Sequence, residues 1–463
     1  MSVTPFPGPG GGLRALGSRL EGTMVLPGDP GWDAARAAWQ LAVDQRPAAV
    51  VLVRSAADVA ATLETARACG LRVAPQSSGH NAAPLGPLDG TILLRTVEMA
   101  HVHIDPVRRL ARVGAGAVWG EVSAAAAKHG LAGLAGTASD VGVVGYTLGG
   151  GLSWFARSHG LAANHVTGAT VVTADGRVLR VDADHEPDLF WAIRGGGGAH
   201  AIVTELEFAL FPVTEVHAGA LYWPIERAGQ VLTRWRDWTA TVPDTVTSLG
   251  RLLRFPPLEN IPPTFRGRSL VAIEAVAQLG HEAAGTLLAP LRELGPELDT
   301  IAPIPPSRLD LLHLDPPGPT PAVGDGLQLS ALTDETLAAL LAVAGPDADV
   351  PLLTVEARHL GGALAPGALP GGAVSSLDAA FTMFSGGIAA DAASSAAVHA
   401  ALDALAAALA PWRAPLSYRN FRERPDIGLA FEPDHVRRRL RQVKQAYDPG
   451  DVIRANHPID PSP

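Results

Sequence analysis

The sequence predicts an α+β fold in which a mixed α/β domain precedes an antiparallel sheet covered by helices. Three observations indicate this class: a strand–helix–strand pattern over residues 49–76, a hairpin pattern over residues 166–182, and strands that alternate with Ala/Leu-rich helices over residues 213–410. The chain has 463 residues, of which 47% are hydrophobic, and this is enough for two domains with large cores.

The first domain is predicted to begin with a helix over residues 30–44, where tryptophan and alanine recur at helical spacing. Residues 49–53 have the composition of a short buried strand. Ser55 is a suitable N-cap for the helix that follows, and Gly70 is a suitable residue to end it. A strand–helix–strand order favours parallel pairing, which places residues 76–81 at the carboxyl end of a strand, where open α/β sheets bind ligands.

The same patterns predict the remaining elements. In the first domain these are strands over residues 91–95, 101–105, 110–116 and 201–211, a helix over 118–129, and hairpin strands over 166–173 and 177–182. In the second domain they are strands near 217–223, 249–253, 270–275, 351–359 and 377–384, with helices near 225–240, 280–294, 333–344 and 392–410. The Pro-rich segment 301–321 has a length typical of a lid or a wall.

A glycine-rich stretch over residues 136–151 has apolar residues without helical spacing, which predicts tight buried turns. Glycines allow the main chain to approach a flat or phosphorylated ligand, and their N–H groups form concave anion sites. A loop packed beneath a sheet would explain the same composition equally well. These two interpretations stay open on this stretch alone.

Composition excludes several classes of protein. The net charge of −10 argues against nucleic-acid binding, which needs a concentrated basic surface. A single cysteine, Cys69, excludes an internal disulfide and a thiolate metal site, and no metal site is expected. The amino terminus lacks the features of a secretory signal, and no apolar run approaches the ~18 residues of a membrane span. We therefore expect a flexible lead-in over residues 1–27, a cytoplasmic location, no membrane contact, and a monomer or homodimer.

Four motifs in order carry a family resemblance: residues 72–81 with Gly79 and His80, the stretch 136–151, the helix and four glycines of residues 186–198, and residues 447–459. Together they resemble the berberine-bridge-enzyme-like FAD-linked oxidases of the p-cresol methylhydroxylase (vanillyl-alcohol oxidase) superfamily. The resemblance implies a two-subdomain FAD-binding domain of the p-cresol methylhydroxylase type over residues 28–212. A substrate domain over 213–410 and a C-terminal segment over 411–463 that returns to the FAD-binding domain complete the implied organisation.

The resemblance also implies the residues that bind the cofactor. In the family, the histidine that matches His80 is bonded to the flavin 8α-methyl group. Ala138 stands where many relatives have a second linking cysteine, which implies FAD with a single covalent link to His80. Val141 matches the position that controls access of dioxygen to the flavin. The implied cofactor-binding residues are Gln76, Ser77, Ser78, Gly79, His80, Asn81, Gly136, Thr137, Asp140, Val141, Gly142, Gly145, Tyr146, Ile202, Val203 and Asn456.

Two side chains are candidate catalytic residues. Tyr418 matches the family's Tyr-x-Asn-Phe/Tyr motif, and its phenol would need nearby positive charge, from Arg358 or Arg419, to act as a base at neutral pH. It could instead only hydrogen-bond the flavin edge or shape the pocket. His359, on a predicted strand of the substrate domain, is the second candidate for the base.

We therefore expect an oxidase that removes a hydride from a C–OH or C–N carbon of a small molecule and passes the electrons to dioxygen. Tailoring of natural products in secondary metabolism is the setting implied by bacterial relatives. An amine oxidase similar to 6-hydroxynicotine oxidase and a flavin-binding protein without turnover are the alternatives.

Overall fold

The computed structural model describes residues 9–424 and 430–461 of the chain, which form three sheets and their covering helices. The first sheet has the order β1-β2-β4-β3, in which β1 pairs antiparallel with β2 and the other pairs are parallel. Its elements are α1 (Pro9–Gly17), β1 (Thr23–Val25), α2 (Trp32–Arg36), β2 (Ala49–Leu52), α3 (Ala56–Cys69), β3 (Arg72–Gln76) and β4 (Thr91–Arg95).

The strand–helix–strand unit formed by β2, α3 and β3 has the predicted caps. The Ser55 side chain accepts a hydrogen bond from the backbone N–H of Asp58, and Gly70 ends α3 in the left-handed conformation at φ 67°. The apolar face of α3, which includes Val59 and Leu63, is buried against the sheet. This unit brings the chain to Gln76 at the carboxyl edge of β3.

Two predictions near the amino terminus are wrong. Residues 9–27 are not a flexible lead-in, because α1 packs Leu13 and Leu16 into the core beside α3, and β1 pairs with β2. Residues 1–8 lie outside the described part. The helix expected over residues 30–44 ends at Arg36, because Ala37 is extended and the backbone N–H of Trp39 donates to the Ser78 carbonyl. Tertiary contacts thus override the helical pattern.

The second sheet has the order β5-β6-β9-β7-β8 and is antiparallel throughout. Its strands are β5 (Val102–Asp105), β6 (Leu110–Gly114), β7 (Val166–Val172), β8 (Val178–Val181) and β9 (Ile202–Ala209), and its helices are α4 (Trp119–Ala127), α5 (Val143–Leu148), α6 (Ala156–His159) and α7 (Pro187–Ile193). The glycine-rich stretch therefore contains the short helix α5, where only turns were predicted.

The third sheet has the strand order β13-β10-β12-β11-β16-β17-β15, with β14 also paired to β10. Its strands are β10 (Val216–Pro224), β11 (Val246–Arg254), β12 (Ser269–Ala277), β13 (Leu298–Asp299), β14 (Ala302–Ile304), β15 (Ala322–Leu329), β16 (Thr354–His359) and β17 (Phe381–Ile388). The helices α8 (Ala228–Thr239), α9 (His281–Arg292), α10 (Asp334–Ala344) and α11 (Ala392–Ala408) pack on one face through a large apolar core. The antiparallel pairing and the helical cover confirm the predicted α+β class.

The C-terminal helix α12 (Asp434–Tyr447) packs its apolar face, with Leu440 and Val443, into the core of the second sheet. Beyond it, Ile453 forms a parallel bridge with Val73 of β3. The domain bounds at residues 28, 212 and 410 stay predictions, because strand pairing alone does not define an independently folding unit. Within the described residues, every helix is too short or too polar to cross a membrane.

Candidate active site

A cavity of about 410 Å³ lies between the first two sheets on one side and the uncovered face of the third sheet on the other. Its first wall is main chain and small side chains from the loops after β3 and before β9 and from the glycine-rich stretch. Its second wall, called the sheet wall below, consists of larger side chains from β11, β16 and β17, from the Pro-rich segment and from residues 418–423.

The loop after β3 presents polar groups that have no partner among the described residues. The backbone N–H groups of residues 77–81 donate to no described acceptor, and Ser77 Oγ and Asn81 Oδ1 are buried without a hydrogen bond. Gly79 has φ +87°, and a Cβ atom there would lie 2.9 Å from the Cβ of Ala38. Only glycine fits this turn, and the loop that carries these N–H donors lines the cavity.

The glycine-rich stretch forms the adjoining part of this wall. A Cβ atom at Gly142 would lie 3.0 Å from Ser77 Oγ, so the two loops touch where both lack side-chain bulk. Tyr146 on α5 is held by a 3.0 Å hydrogen bond from its hydroxyl to the Leu134 carbonyl. Of the two interpretations left open by the sequence, the structure supports a ligand-facing loop, since this stretch lines the cavity.

His80 lies at the edge of this wall with three close neighbours. Its ring stacks on Trp39 with the centroids 4.1 Å apart. Its Nδ1 is 2.9 Å from Ser78 Oγ, and its Nε2 is 3.2 Å from Asp140 Oδ1. Trp39 Nε1 donates to the other oxygen of Asp140 at 2.6 Å. Asp140 thus contacts His80 without lining the cavity itself.

Paired charges cover the sheet wall. Glu274 accepts hydrogen bonds from Arg251 (2.6 Å) and from His313 (2.7 Å). Glu356 lies between His313 Nε2 (2.9 Å) and Arg358 Nη2 (2.7 Å). Burial and the Arg251 guanidinium lower the pKa of His313, but the carboxylates of Glu274, Asp315 and Glu356 outweigh them and raise it to about 9. His313 comes from the Pro-rich segment, which is therefore a wall of the cavity, as predicted.

Tyr418 lines the cavity between the two walls, as the motif predicts. Its hydroxyl accepts a 3.1 Å hydrogen bond from Asn420 Nδ2, which also donates to the Tyr146 carbonyl at 2.8 Å. Burial raises the pKa of Tyr418 above its usual range, although Arg358 and the Asn420 hydrogen bond act in the opposite direction. Arg419 instead pairs with Glu432 at 2.8 Å. The expected lowering of the phenol pKa is therefore not found.

His359 is not brought to the cavity, and the prediction that it acts as the base is corrected here. Side chains alternate along a strand, so His359 lies on the face of β16 opposite to Glu356 and Arg358 and lines a separate, small cavity. Its Nε2 is 3.0 Å from Arg157 Nη1. Burial and this guanidinium lower the pKa of His359 to about 3.

Glu423 is an ionisable group of the cavity that the sequence analysis missed. Its Oε2 accepts hydrogen bonds from Gln40 Nε2 (2.7 Å) and from the Gly324 N–H (2.8 Å). Burial and nearby Asp325 raise the pKa of Glu423 to about 7. The only sequence signal was its position three residues after the Tyr418–Asn420 motif. A carboxyl group that changes protonation near neutral pH can exchange a proton with a bound substrate.

The structure brings most of the predicted cofactor-binding residues to one surface. Those that line the cavity are Gln76, Ser77, Ser78, Gly79, His80, Asn81, Gly136, Thr137, Val141, Gly142, Gly145, Tyr146, Ile202, Val203 and Asn456. Asp140 stands behind His80, as described above. These positions agree with the expected contacts, while the role of each residue stays a prediction.

The chemistry of this wall fits FAD. The unpaired N–H groups of residues 77–81 and the glycine turn at Gly79 can hold a pyrophosphate, which needs several donors and close approach of the backbone. The bare surface over residues 136–145 can lie against a flat ring. Apolar Ile202 and Val203 extend the same wall. The fold and this wall therefore define a flavin-binding protein.

Comparison with known proteins agrees. Residues 47–182 match the FAD binding domain family. The chain is 37% identical over 205 residues to (R)-6-hydroxynicotine oxidase from Paenarthrobacter nicotinovorans, covering 44% of this chain and 45% of that protein. It is 37% identical over 189 residues to glucooligosaccharide oxidase from Sarocladium strictum, covering 40% and 38%. The aligned part thus spans less than half the length of these curated relatives.

Solved structures extend the likeness along the chain. The crystal structure of 6-hydroxy-D-nicotine oxidase from Arthrobacter nicotinovorans has a TM-score of 0.83 at 26% identity and covers 100% of both chains. Physcomitrella patens BBE-like 1 has a TM-score of 0.84 at 18% identity, covers 97% of this chain and 99% of that one, and supports the fold. The matched FAD binding domain, the FAD-linked oxidases among the relatives and the shared fold confirm the resemblance to the berberine-bridge-enzyme-like FAD-linked oxidases of the p-cresol methylhydroxylase superfamily.

Proposed function

We propose that this protein is an oxidase that binds FAD through a single covalent link to His80 and oxidises a C–OH or C–N carbon of a small molecule. When bound, FAD supplies the hydride acceptor and the centre at which dioxygen is reduced to hydrogen peroxide. The observation that carries the proposal is the division of one cavity into two walls. The first wall is mainly backbone and suits a flavin, and it is called the flavin-side wall below. The sheet wall has polar side chains that suit a substrate.

The covalent link has two supports. His80 lies on the flavin-side wall in a loop of small residues, with its ring held by Trp39, Ser78 and Asp140. Glucooligosaccharide oxidase from Acremonium strictum is described with a 6-S-cysteinyl, 8α-N1-histidyl FAD. Ala138 cannot form the cysteinyl bond, so we propose a single link for this chain.

Proton transfer is assigned to Glu423, and orientation of the substrate to Tyr418. Glu423 lines the cavity, and its pKa of about 7 suits a base that works at neutral pH. Tyr418 is neutral at that pH, because burial raises the pKa of its phenol, and a neutral phenol can donate a hydrogen bond but cannot accept a full proton. In this arrangement Tyr418 holds the substrate hydroxyl or amine while Glu423 takes the proton.

The substrate is proposed to be a polar molecule with an apolar part. The sheet wall offers Arg358, which pairs with Glu356, and it also offers the rings of Phe384 and Phe421, whose centroids are 5.4 Å apart. A hydroxylated or aminated natural product has both kinds of surface, and we propose tailoring in secondary metabolism as the setting. Oxidation of an amine is the second candidate, and the relative named (R)-6-hydroxynicotine oxidase favours it.

Dioxygen is proposed as the electron acceptor. Val141 lines the cavity on the flavin-side wall, at the position that the family resemblance associates with access of oxygen. Its side chain is short, and this leaves room for a diatomic molecule beside the ring.

The experiment that tests this function is anaerobic reduction of the purified protein by panels of alcohols and amines, followed by admission of air. We expect one class to bleach the flavin and air to restore its colour with release of hydrogen peroxide. Bleaching by alcohols alone or amines alone decides between the two candidate reactions. A bound flavin that no member of either panel reduces would favour a flavin-binding protein without turnover.

A further inference from the structure

His80 makes a defined set of contacts with neighbouring side chains. A covalent bond to a cofactor would not by itself require these contacts. Trp39 packs on one face of the imidazole, while Ser78 and Asp140 approach opposite ring nitrogens at 2.9 and 3.2 Å. Trp39 and Asp140 are also joined to each other at 2.6 Å. Trp39 comes from the loop after α2 and Asp140 from the stretch before α5, so two separate parts of the chain converge on one side chain.

These contacts favour one tautomer of His80. Asp140 is a carboxylate at neutral pH, since hydrogen bonds from His80 and Trp39 keep its pKa below the usual value against the effect of burial. A carboxylate can only accept hydrogen bonds, so the Nε2 that faces it carries the proton. Nδ1 then has a free lone pair, to which the Ser78 hydroxyl can donate. Nε2 is buried 3.2 Å from Asp140 Oδ1, close enough for an ion pair, although the contact is not aligned as a hydrogen bond among the described residues.

We propose that Asp140 and Trp39 are positioning residues for attachment of the flavin: Asp140 holds Nε2 of His80 and takes its proton, so that Nδ1 forms the bond. This inference rests on the proposed covalent link to His80. A carboxylate behind an imidazole fixes the ring and raises the basicity of its other nitrogen, as in metal sites where a carboxylate supports a histidine ligand. Trp39 fixes the ring plane by stacking and fixes the carboxylate by its N–H.

The atoms and electrons of the bond-forming step balance when dioxygen is the oxidant. A bond forms between His80 Nδ1 and the 8α carbon, while one C–H bond of the 8α-methyl group and the Nε2–H bond of His80 break. The Nε2 proton passes to Asp140 and from there to solvent. Two electrons leave the methyl carbon, and dioxygen takes them together with two protons to give hydrogen peroxide. No other reactant is needed.

The test measures attachment and binding separately. The full-length chain is produced with flavin withheld, mixed with FAD in air, and sampled over time for flavin that stays with the protein after acid precipitation. Wild type should accumulate bound flavin. With FAD saturating for each protein, Asp140→Asn should attach it about 10-fold to 100-fold more slowly than wild type, the range for loss of a residue that supports a histidine ligand in metal sites. Asp140→Glu, which keeps the charge, should attach faster than Asp140→Asn.

Two further variants complete the experiment. Trp39→Phe keeps an aromatic ring but removes the N–H that fixes Asp140, so it should slow attachment less than Asp140→Asn. Asp44→Asn is the matched control, because Asp44 pairs with Arg36 in the neighbouring loop without contact to His80, and it should attach at the wild-type rate. The fluorescence titration of the isolated histidyl-flavin peptide identifies the bonded nitrogen, and we expect Nδ1.

The outcomes separate this inference from the proposed function. Flavin that acid releases from wild type would overturn the covalent link and, with it, this inference. Wild-type attachment together with unchanged rates in Asp140→Asn and Trp39→Phe would overturn the inference and leave the covalent link intact. A bond through Nε2 would also overturn it. If Asp140→Asn fails to bind FAD, the rates of Asp140→Glu and Trp39→Phe decide.

Discussion

The two walls of the cavity are built from different materials. The flavin-side wall offers main-chain N–H groups and glycines, as at Gly79 and Gly142, and places His80 at its edge. The sheet wall offers buried side-chain charges, several of which are paired with an opposite charge, such as Glu356 with Arg358. Backbone donors cannot change without changing the fold, whereas side chains can be exchanged on a constant sheet. This contrast suits a constant cofactor on one side and a particular substrate on the other.

The largest expected effect on the substrate side comes from Glu423. Glu423→Gln removes the base but keeps the hydrogen bond from Gln40, so flavin reduction should slow by about 10² to 10⁴, the range for losing a general base. The active form is the carboxylate, so the wild-type rate of reduction should rise with pH through about 7 and then level off. Stopped-flow absorbance under anaerobic conditions measures both quantities. A variant with the wild-type rate and the same pH profile would remove Glu423 from the mechanism.

Glu356 tests whether the paired charges hold the sheet wall together. Glu356→Gln leaves His313 and Arg358 without their shared carboxylate in a buried site. Breaking a buried ion pair from one side costs about 3–5 kcal/mol, so the free energy of unfolding should fall by roughly that amount. Denaturant titration measures the change, with Glu335→Gln as a control at an exposed carboxylate on α10. Equal losses in the two variants would contradict the importance of the network. Attachment of flavin should be unaffected.

Tyr418 is expected to have a smaller effect than Glu423. Tyr418→Phe deletes one hydroxyl and leaves the ring, so folding and flavin attachment should survive. Loss of one hydrogen bond to the substrate corresponds to about 0.5–1.5 kcal/mol, or roughly a twofold to tenfold slower reduction. The same stopped-flow assay measures it. A loss of about 10² or more would instead make the tyrosine the base, as the motif alone suggested.

Val141 should have the smallest effect, confined to the reaction with oxygen. Val141→Leu adds one methylene group beside the flavin-side wall, so chemically reduced protein should reoxidise more slowly in air while anaerobic reduction keeps its rate. Mixing reduced protein with aerated buffer gives the reoxidation rate directly. Equal rates in the two proteins would show that access of oxygen does not depend on this side chain.

The flavin-side wall could be predicted from the sequence because its physical requirement is local. A loop that approaches a ligand through its backbone needs glycine, and Gly79 and Gly142 can be identified directly from the sequence. The caps of α3 were likewise local signals, and both Ser55 and Gly70 were identified correctly.

The sheet wall could not be predicted in the same way. Glu274, His313 and Glu356 come from separate elements, and nothing in the sequence around each of them indicates that they meet in a buried cluster. The pKa of Glu423 depends on its burial and on Asp325, and its hydrogen-bond partner Gln40 lies far away in the chain. The wrong prediction of a helix at Trp39 has the same cause, because its neighbours His80 and Asp140 are distant in the sequence.

The most direct test of the division between the walls is peptide mass mapping of the wild-type protein after digestion in acid. We expect one FAD on the peptide that contains His80 and none on the peptide that contains residues 136–146, where Ala138 offers no nucleophile. His80→Ala should carry no covalently attached FAD. Flavin on any other peptide, or flavin that stays attached to His80→Ala, would contradict the claim that the flavin-side wall binds a cofactor attached to His80.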